Sequence, residues 1–517
     1  MRDILQEIID RRRADIDRLG IEFGFDVPKK RQRKIHPFIE EKGAILEVKR
    51  ASPSKGDIAP NLDSAKTATE YAKAGAKAIS CLTETNYFKG TLQDLMNVCA
   101  AMDEFEKSSG KNPPAVLRKD FLLSADEVEV SFRAGADAVL LIARILDKET
   151  MLEMAEECAR LGMSALVEVR KDEDLEKLSF VMEKVGGRTI VCGVNSRDLR
   201  DFTIDMLIPS SMLKKIRSIK SDARVTFESG ILSPEAAFFA SSMGFNAFLM
   251  GEAAAKNPGH AVEFTSAFEN APVTKNGKAW LDYASDALGG KRKTPFVKIC
   301  GITNEEDASF VCNQGADFLG FIMWKNSKRN VSEEKIREIE KSLSEKNLRS
   351  KVRLVGVVVD LESDEGKNAL SLAGEGILDF VQVHTFDSAV EFLKVKNLSS
   401  VPHYCAVNIS CADDVQKIAE LNTLGEPRIL IDAQANSGIG GTGKTIDGEL
   451  VSLVRKSYRL WIAGGISPEN VASVIEKYQP ELIDASSSLE DEPGKKNHGK
   501  VREFFENVRN AEIGECE

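Results

Sequence analysis

Six polar residues close short apolar runs in the first half of this 517-residue chain: Glu47 and Lys49 in the run 44–49, Lys119 in 115–120, Glu168 in 164–169, Asn195 in 189–195 and Glu228 in 224–229. Carboxylates and ammonium groups gathered around one substrate can exchange protons with it as acids and bases. Any one of them alone reads as a structural ion pair, whereas six at successive run ends point to one shared site. Glu47 and Lys49 are two residues apart and so share a face of an extended segment. Burying such a pair is costly unless the charges are paired or used. In the second half, Cys300 and Asp432 hold the same kind of place in the runs 297–303 and 428–433. A thiol there is by residue type more often a small core residue than a catalyst, so Cys300 depends on its wider context.

The elements that must position these residues repeat. Apolar runs recur at 44–49, 78–83, 115–120, 138–142, 164–169, 189–195, 224–229 and 247–251, and again at 297–303, 318–323, 353–359, 380–384, 403–409, 428–433, 459–464 and 482–487, with helical patterns between them. Strands alternating with helices pair in parallel through right-handed crossovers, and eight such units close a barrel. An open doubly wound sheet is the rival, and usually has fewer strands. The expected fold is therefore α/β, two tandem (β/α)8 (TIM) barrels whose strand C-termini, loops and polar residues gather at one mouth each. Residues 3–20 carry Ile4, Leu5, Ile8, Ile9, Ile16 and Leu19 at helical spacing before Gly20, an N-terminal helical extension of the first barrel. The expected domains are residues 1–270 and 295–517, and the Gly-, Lys- and Pro-containing stretch 271–294 reads as a linker.

Acidic and basic residues are interspersed, 29% of the chain is charged and the net charge is −11, which argues for a soluble protein and against a nucleic-acid partner. The sequence begins without an apolar signal core and has no run long enough to span a bilayer, so neither secretion nor a membrane partner is expected. The nine cysteines are odd in number and lack CxxC spacing, as expected of reduced cytosolic thiols. Five dispersed histidines give no ligand spacing, so no metal and no cofactor is expected.

The segments Glu-Val-Lys-Arg-Ala-Ser-Pro-Ser-Lys-Gly at 47–56, Leu-Arg-Lys-Asp-Phe at 117–121, Gly-Val-Asn-Ser-Arg-Asp-Leu at 193–199 and Glu-Ser-Gly-Ile at 228–231 closely resemble indole-3-glycerol-phosphate synthase over about residues 1–270. That family closes a pyrrole ring on carboxyphenylamino-deoxyribulose phosphate with loss of carbon dioxide and water. The resemblance implies that Lys119 and Lys49 are cationic acids, that Glu168 and Glu47 carry the remaining proton transfers, and that Asn195 and Glu228 orient the substrate, with Arg197 supporting their loop. It places the phosphate on Ser54, on backbone N–H groups of Ser229 and Gly230, and on Gly251, where a helix opens. Glu252 beside it is expected to turn its carboxylate away.

Lys-Ile-Cys-Gly-Ile-Thr at 298–303, Val-Gln-Val-His at 381–384, Leu-Ile-Asp at 430–432 and Ala-Gly-Gly-Ile at 463–466 resemble phosphoribosylanthranilate isomerase over about residues 295–510. That family performs an Amadori rearrangement. The resemblance assigns the general acid to Asp432 and the base to Cys300, which require a raised carboxyl pKa and a thiolate-favouring setting. Arg329 would receive the anthranilate carboxylate, and Gly464, Gly465, Ser486 and Ser487 the phosphate. Ser488 and Thr385 depart from the family pattern in loop positions.

Gly438 to Thr445 satisfies the P-loop pattern, but the first glycine lies six positions beyond Asp432, where a P-loop follows its strand almost directly. A loop over the mouth is the preferred reading. The two resemblances together imply a bifunctional enzyme of tryptophan biosynthesis whose partners are small phosphosugar-anthranilate substrates, monomeric and cytoplasmic. The alternative is an active first barrel joined to a second that only binds phosphosugar.

Overall fold

The computed structural model describes residues 4–198, 203–256, 258–290, 292–395, 399–433 and 447–511. The chain divides into two compact units, Met1–Val273 and Thr274–Glu517. In the first, β1 (Gly43–Val48), β2 (Ala78–Leu82), β3 (Ala115–Lys119), β4 (Ala138–Ile142), β5 (Ser164–Val169), β6 (Ile190–Asn195), β7 (Val225–Glu228) and β8 (Ala247–Met250) form a closed barrel. Each strand pairs in parallel with the next, and β1 closes the ring on β8 through Gly43↔Ala247 to Leu46↔Met250.

The side-chain period of two decides what the interior holds. Ile45, Leu117, Leu140, Leu166, Val191 and Leu249 form the buried apolar interior, and the floor is closed by Phe38 and Ile39. Two residues further along the same faces stand Glu47, Lys119, Ile142, Glu168, Gly193 and Gly251. One parity thus supplies both the apolar plug and the polar rim.

The helix α1 (Ile4–Leu19) buries Leu5, Ile8, Ile9 and Arg12, one face at helical spacing. Arg12 places its guanidinium 2.6 Å from Asp120 and also against Glu127, all three buried. Asp120 directly follows Lys119, so this network fastens α1 beside a candidate catalytic residue.

The second unit repeats the plan with β9 (Phe296–Cys300), β10 (Phe318–Ile322), β11 (Arg353–Val358), β12 (Phe380–Val383), β13 (His403–Ile409), β14 (Ile429–Ala433), β15 (Trp461–Ala463) and β16 (Leu482–Ala485), closed by β9 on β16. Its floor is aromatic. The expected linker is in fact part of this unit: α2 (Lys275–Ala287), capped by the Thr274 hydroxyl accepting from Gly277 N–H at 3.0 Å, is a helix of the second unit. Trp280 and Tyr283 are fully buried against Phe296, Phe380 and Trp461, with ring centroids 5.0 to 6.0 Å apart. The helix-like spacing of Trp280 to Leu288 is legible in the sequence, and it is the burial of its two large rings that attaches the stretch to the second unit.

The predicted strands match the observed ones within one to three residues. The excess falls mostly at C-terminal ends, where residues such as Thr303, Ser229 and Gly251 have left the ladder and entered the loops of the mouth.

Candidate active sites

At the mouth of the first barrel, Lys119 Nζ lies 2.9 Å from Glu228 Oε2 and 3.9 Å from Glu47 Oε2, and Lys49 Nζ lies 2.5 Å from Glu47 Oε1. Ser80 Oγ donates to Glu47 Oε2 at 3.4 Å. Burial works against the Glu47 carboxylate, but Lys49 and Lys119 outweigh it and hold its pKa below the ordinary value. Burial also opposes the Lys119 charge, and Glu228, Glu47 and Glu168 reverse it, so this ammonium keeps its proton above the usual lysine range. Glu168 goes the other way: burial, with the Glu228 charge beside it, pushes it up to about 7. One cavity therefore holds a carboxylate kept ionised and another that titrates near neutrality, the pattern by which acid and base are told apart.

This cavity encloses about 1260 Å3 of space open to solvent. Its lining includes Glu47, Lys49, Ser54, Lys119, Glu168, Asn195, Arg197, Ser229, Gly230 and Gly251. Glu228 is the exception. It stands behind Lys119, 1% exposed and outside the lining, because its strand parity points it at the space left by Gly193, where any side chain would collide with its carboxylate. In this structure it holds Lys119. Asn195 Oδ1 accepts from Arg197 N–H at 3.0 Å, and Arg170 braces both residues through their carbonyls at 2.8 and 2.6 Å. Ser229 and Gly230 have φ of +66° and +78°, a left-handed turn. A side chain at Gly251 would put Cβ 2.6 Å from Glu47 Oε1 and 3.0 Å from Lys49 Nζ. Glu252 is held by Lys256 at 2.8 Å, with Lys55 at 3.7 Å.

The second mouth encloses about 920 Å3 and is lined by Cys300, Arg329, Asp432, Gly464, Gly465, Ser486 and Ser487 together with Gln382, His384 and Asp484. Beneath it lies a buried polar layer. Lys298 Nζ pairs with Asp484 and donates to Gln382 Oε1 at 2.9 Å, and Tyr404 donates to the same oxygen at 2.9 Å. This fixes the Gln382 amide, whose NH2 then donates to His384 Nδ1 at 2.9 Å. Burial, reinforced by Lys298, pulls His384 down to about 4, so the ring is neutral with its proton on Nε2. His384 Nε2 stands 4.0 Å from Asp432 Oδ2.

Cys300 does not meet the thiolate-favouring setting expected of it. Burial pushes the thiol up, with Lys298 and Lys496 pulling against that rise. Gly320, its register partner on β10, has no room for a side chain, because an added Cβ would sit 2.7 Å from Cys300 Sγ. The Ser486 hydroxyl donates to the Cys300 carbonyl at 3.1 Å. Thr385 caps the helix Phe386–Lys394. The P-loop-like stretch Gly438 to Thr445 lies outside the described residues.

A family model described as indole-3-glycerol phosphate synthase matches residues 5–264, half of the chain. The chain belongs to the indole-3-glycerol phosphate synthase family. A second model, for N-(5'phosphoribosyl)anthranilate (PRA) isomerase, matches residues 297–507, so the two domains stand in tandem. The chain is 32% identical over 497 residues to a multifunctional tryptophan biosynthesis protein of Schizosaccharomyces pombe, covering 91% of this chain and 60% of that protein. It is 31% identical over 480 residues to the tryptophan biosynthesis protein TRP1 of Phytophthora nicotianae, covering 85% of this chain and 86% of that protein. It spans less than two thirds of the length of the multifunctional relatives. Among solved structures, phosphoribosyl anthranilate isomerase from Thermotoga maritima is 34% identical, covering 42% of this chain and 98% of that one, with a TM-score of 0.36.

Sequence reasoning missed several residues of both sites. In the synthase barrel these are Ser80, which donates to Glu47, and Gly193, which leaves room for the Glu228 carboxylate; the α1 side chains Ile4, Leu5 and Ile8 line the cavity. In the isomerase barrel they are Lys298, Gln382, His384 and Asp484. The signal for Lys298 and Asp484 was available: both are charged residues on the inward parity of an apolar strand, and they are register partners.

Proposed function

We propose that this chain catalyses two consecutive steps of tryptophan biosynthesis. The second barrel isomerises N-(5-phosphoribosyl)anthranilate to 1-(2-carboxyphenylamino)-1-deoxyribulose 5-phosphate, and the first closes this product to indole-3-glycerol phosphate with loss of carbon dioxide and water. The observation that carries the reading is the opposed pair of carboxylates in the first cavity, Glu47 held ionised and Glu168 near neutrality, both acting on the Lys119 charge.

In the first barrel, Lys119 gives a proton to the ketone oxygen as the ring carbon attacks, and carbon dioxide leaves from that carbon. Glu168, protonated below about 7, supplies the proton with which the new hydroxyl departs as water. Glu47 takes the last proton, and Lys49 keeps it ionised until then. Glu228 keeps Lys119 aimed and charged. Asn195 and Arg197 position the substrate, and its phosphate is held by Ser54 and by the backbone at Ser229, Gly230 and Gly251.

In the second barrel, Asp432 protonates the furanose oxygen, which opens the ring to an imine. Cys300, as thiolate, removes the C2′ proton, and the resulting enolamine tautomerises to the ketone. His384 offers its Nε2 proton to Asp432 or to a substrate hydroxyl, and Lys298 and Lys496 are the cations that lower the cost of the thiolate. Arg329 receives the anthranilate carboxylate, and Gly464, Gly465, Ser486 and Ser487 surround the phosphate.

The purified chain should make indole-3-glycerol phosphate from phosphoribosylanthranilate and from the ring-opened intermediate alike. Product from the second alone would reduce the isomerase barrel to a scaffold, and product from neither would overturn the reading. As part of the same proposal the enzyme is a cytoplasmic monomer, and a sedimentation experiment giving a mass above 56.8 kDa would contradict the monomer.

A further inference from the structure

Arg329 does not meet the second cavity alone. Its Nε and Nη2 grip the carboxylate of Glu490 at 2.8 to 3.0 Å, side-on, and Glu490 Oε1 also accepts from Lys496 Nζ at 2.9 Å. Lys496 in turn donates to the carbonyl of Cys300 at 2.6 Å and to that of Ser486 at 3.2 Å. All three side chains are at least 85% buried, with exposures of 15% for Arg329, 4% for Glu490 and 0% for Lys496. Glu490 and Lys496 lie on the short hairpin after β16, and that hairpin exists to bring them here: Glu490 pairs with Lys496 across it.

Two features point to a purpose beyond stability. A guanidinium has a side-on edge, Nε with Nη2, and an end-on edge, Nη1 with Nη2, and each can fork onto a carboxylate. Glu490 occupies the first, which orients the second. The buried cluster also contains two cations and one anion, so it carries one surplus positive charge, the complement of a single carboxylate. Gly301, at φ +78°, makes the close approach possible, since a Cβ there would lie 2.8 Å from Arg329 Cδ and 3.3 Å from Glu490 Oε1.

We infer that Glu490 and Lys496 are positioning residues of the isomerase site: Glu490 locks the plane of Arg329 so that its end-on edge takes the substrate's ring carboxylate, and Lys496 ties that anchor to the backbone of Cys300. Carboxylate binding and the placement of the base are thereby set by one rigid unit. This rests on the reading of Arg329 as the carboxylate receptor.

The test uses the full chain and two inhibitors of the isomerase reaction, the reduced form of the ring-opened product and the same compound without its ring carboxylate. For Glu490→Gln, the inhibition constant of the carboxylated compound should rise about tenfold while that of the other changes less than twofold, since only the first engages the oriented guanidinium. An equal change for both compounds, or none for either, overturns the inference, because a merely structural Glu490 does not sense the carboxylate. Arg329→Ala is the control for the underlying reading: if it weakens both compounds equally, Arg329 is not the receptor and the reading itself fails. If Glu490→Gln does not fold, Glu490→Asp, which keeps the charge on a shorter arm, is judged by the same selectivity.

Discussion

In the first barrel the reactive groups are held by each other: Lys119 lies 2.9 Å from Glu228, Lys49 2.5 Å from Glu47, and Glu168 takes its raised pKa partly from Glu228. In the second, Cys300 and Asp432 stand above a polar layer of Lys298, Gln382 and Asp484, and their neighbours His384 and Lys496 act on them from behind. In the first mouth direct ion pairs offset burial for Glu47 and Lys119 while burial raises Glu168, and in the second burial leads for Cys300 and His384 with Lys298 acting from below. The proposed carbon dioxide loss and dehydration would call for several proton movements in one space, and a lattice of ion pairs keeps the groups distinct. An isomerisation needs one acid and one base, which a neutral histidine and a buried cation can tune individually.

The largest expected effects break this comparison cleanly. Lys119→Ala should lower synthase turnover by about 10³-fold or more and leave the isomerase reaction within twofold, and Cys300→Ala should do the reverse. Coupled loss in folded protein, measured with each substrate separately, would contradict independent sites. Glu168→Gln should cost the synthase about 10²-fold and erase a limb of its pH profile. The sign follows from the raised pKa: the acid form is present below about 7 and is lost as pH rises through that value, so wild-type activity falls on the alkaline side. The isomerase profile should not change.

Arg12→Ala breaks a buried charge cluster, removing the ion-pair partner of Glu127 and leaving Asp120 to Arg118 alone, at a cost of about 3 kcal/mol to the first unit. Thermal melting should show one transition lowered, with the isomerase reaction intact and the synthase KM raised by the loss of the α1 wall. The smallest effect is expected for Gly251→Ala. Its methyl group has to displace the Glu47 and Lys49 pair, which should reduce synthase kcat about tenfold with less than about 1 kcal/mol lost in stability.

Much of both sites was legible because barrel strands alternate. Once Ile45 is inside, Glu47 and Lys49 follow on the same face, and Leu117 and Lys119 repeat the rule on β3. What escaped were relations across long stretches of chain. Arg12 meets Asp120 across 108 residues and Arg329 meets Glu490 across 161, and no local spacing announces either pair. Glu228 closes its strand as the run 224–229 suggests, and its carboxylate turns to Lys119 because Gly193 on the neighbouring strand leaves it room. In the 271–294 stretch the helical spacing from Trp280 was legible, but the packing of Trp280 on the aromatic floor, which attaches the helix to the second unit, was not.

The sequence by itself determined the number of strands, the parity of each and the residue types at each mouth, because side-chain alternation and helix periodicity are local properties of the chain. Only the tertiary structure decided which carboxylate stays ionised, which tautomer His384 adopts and where Arg329 is braced. Those depend on burial and on charges a few ångströms away that arrive from distant strands, and the closing of each barrel is what brings them within reach.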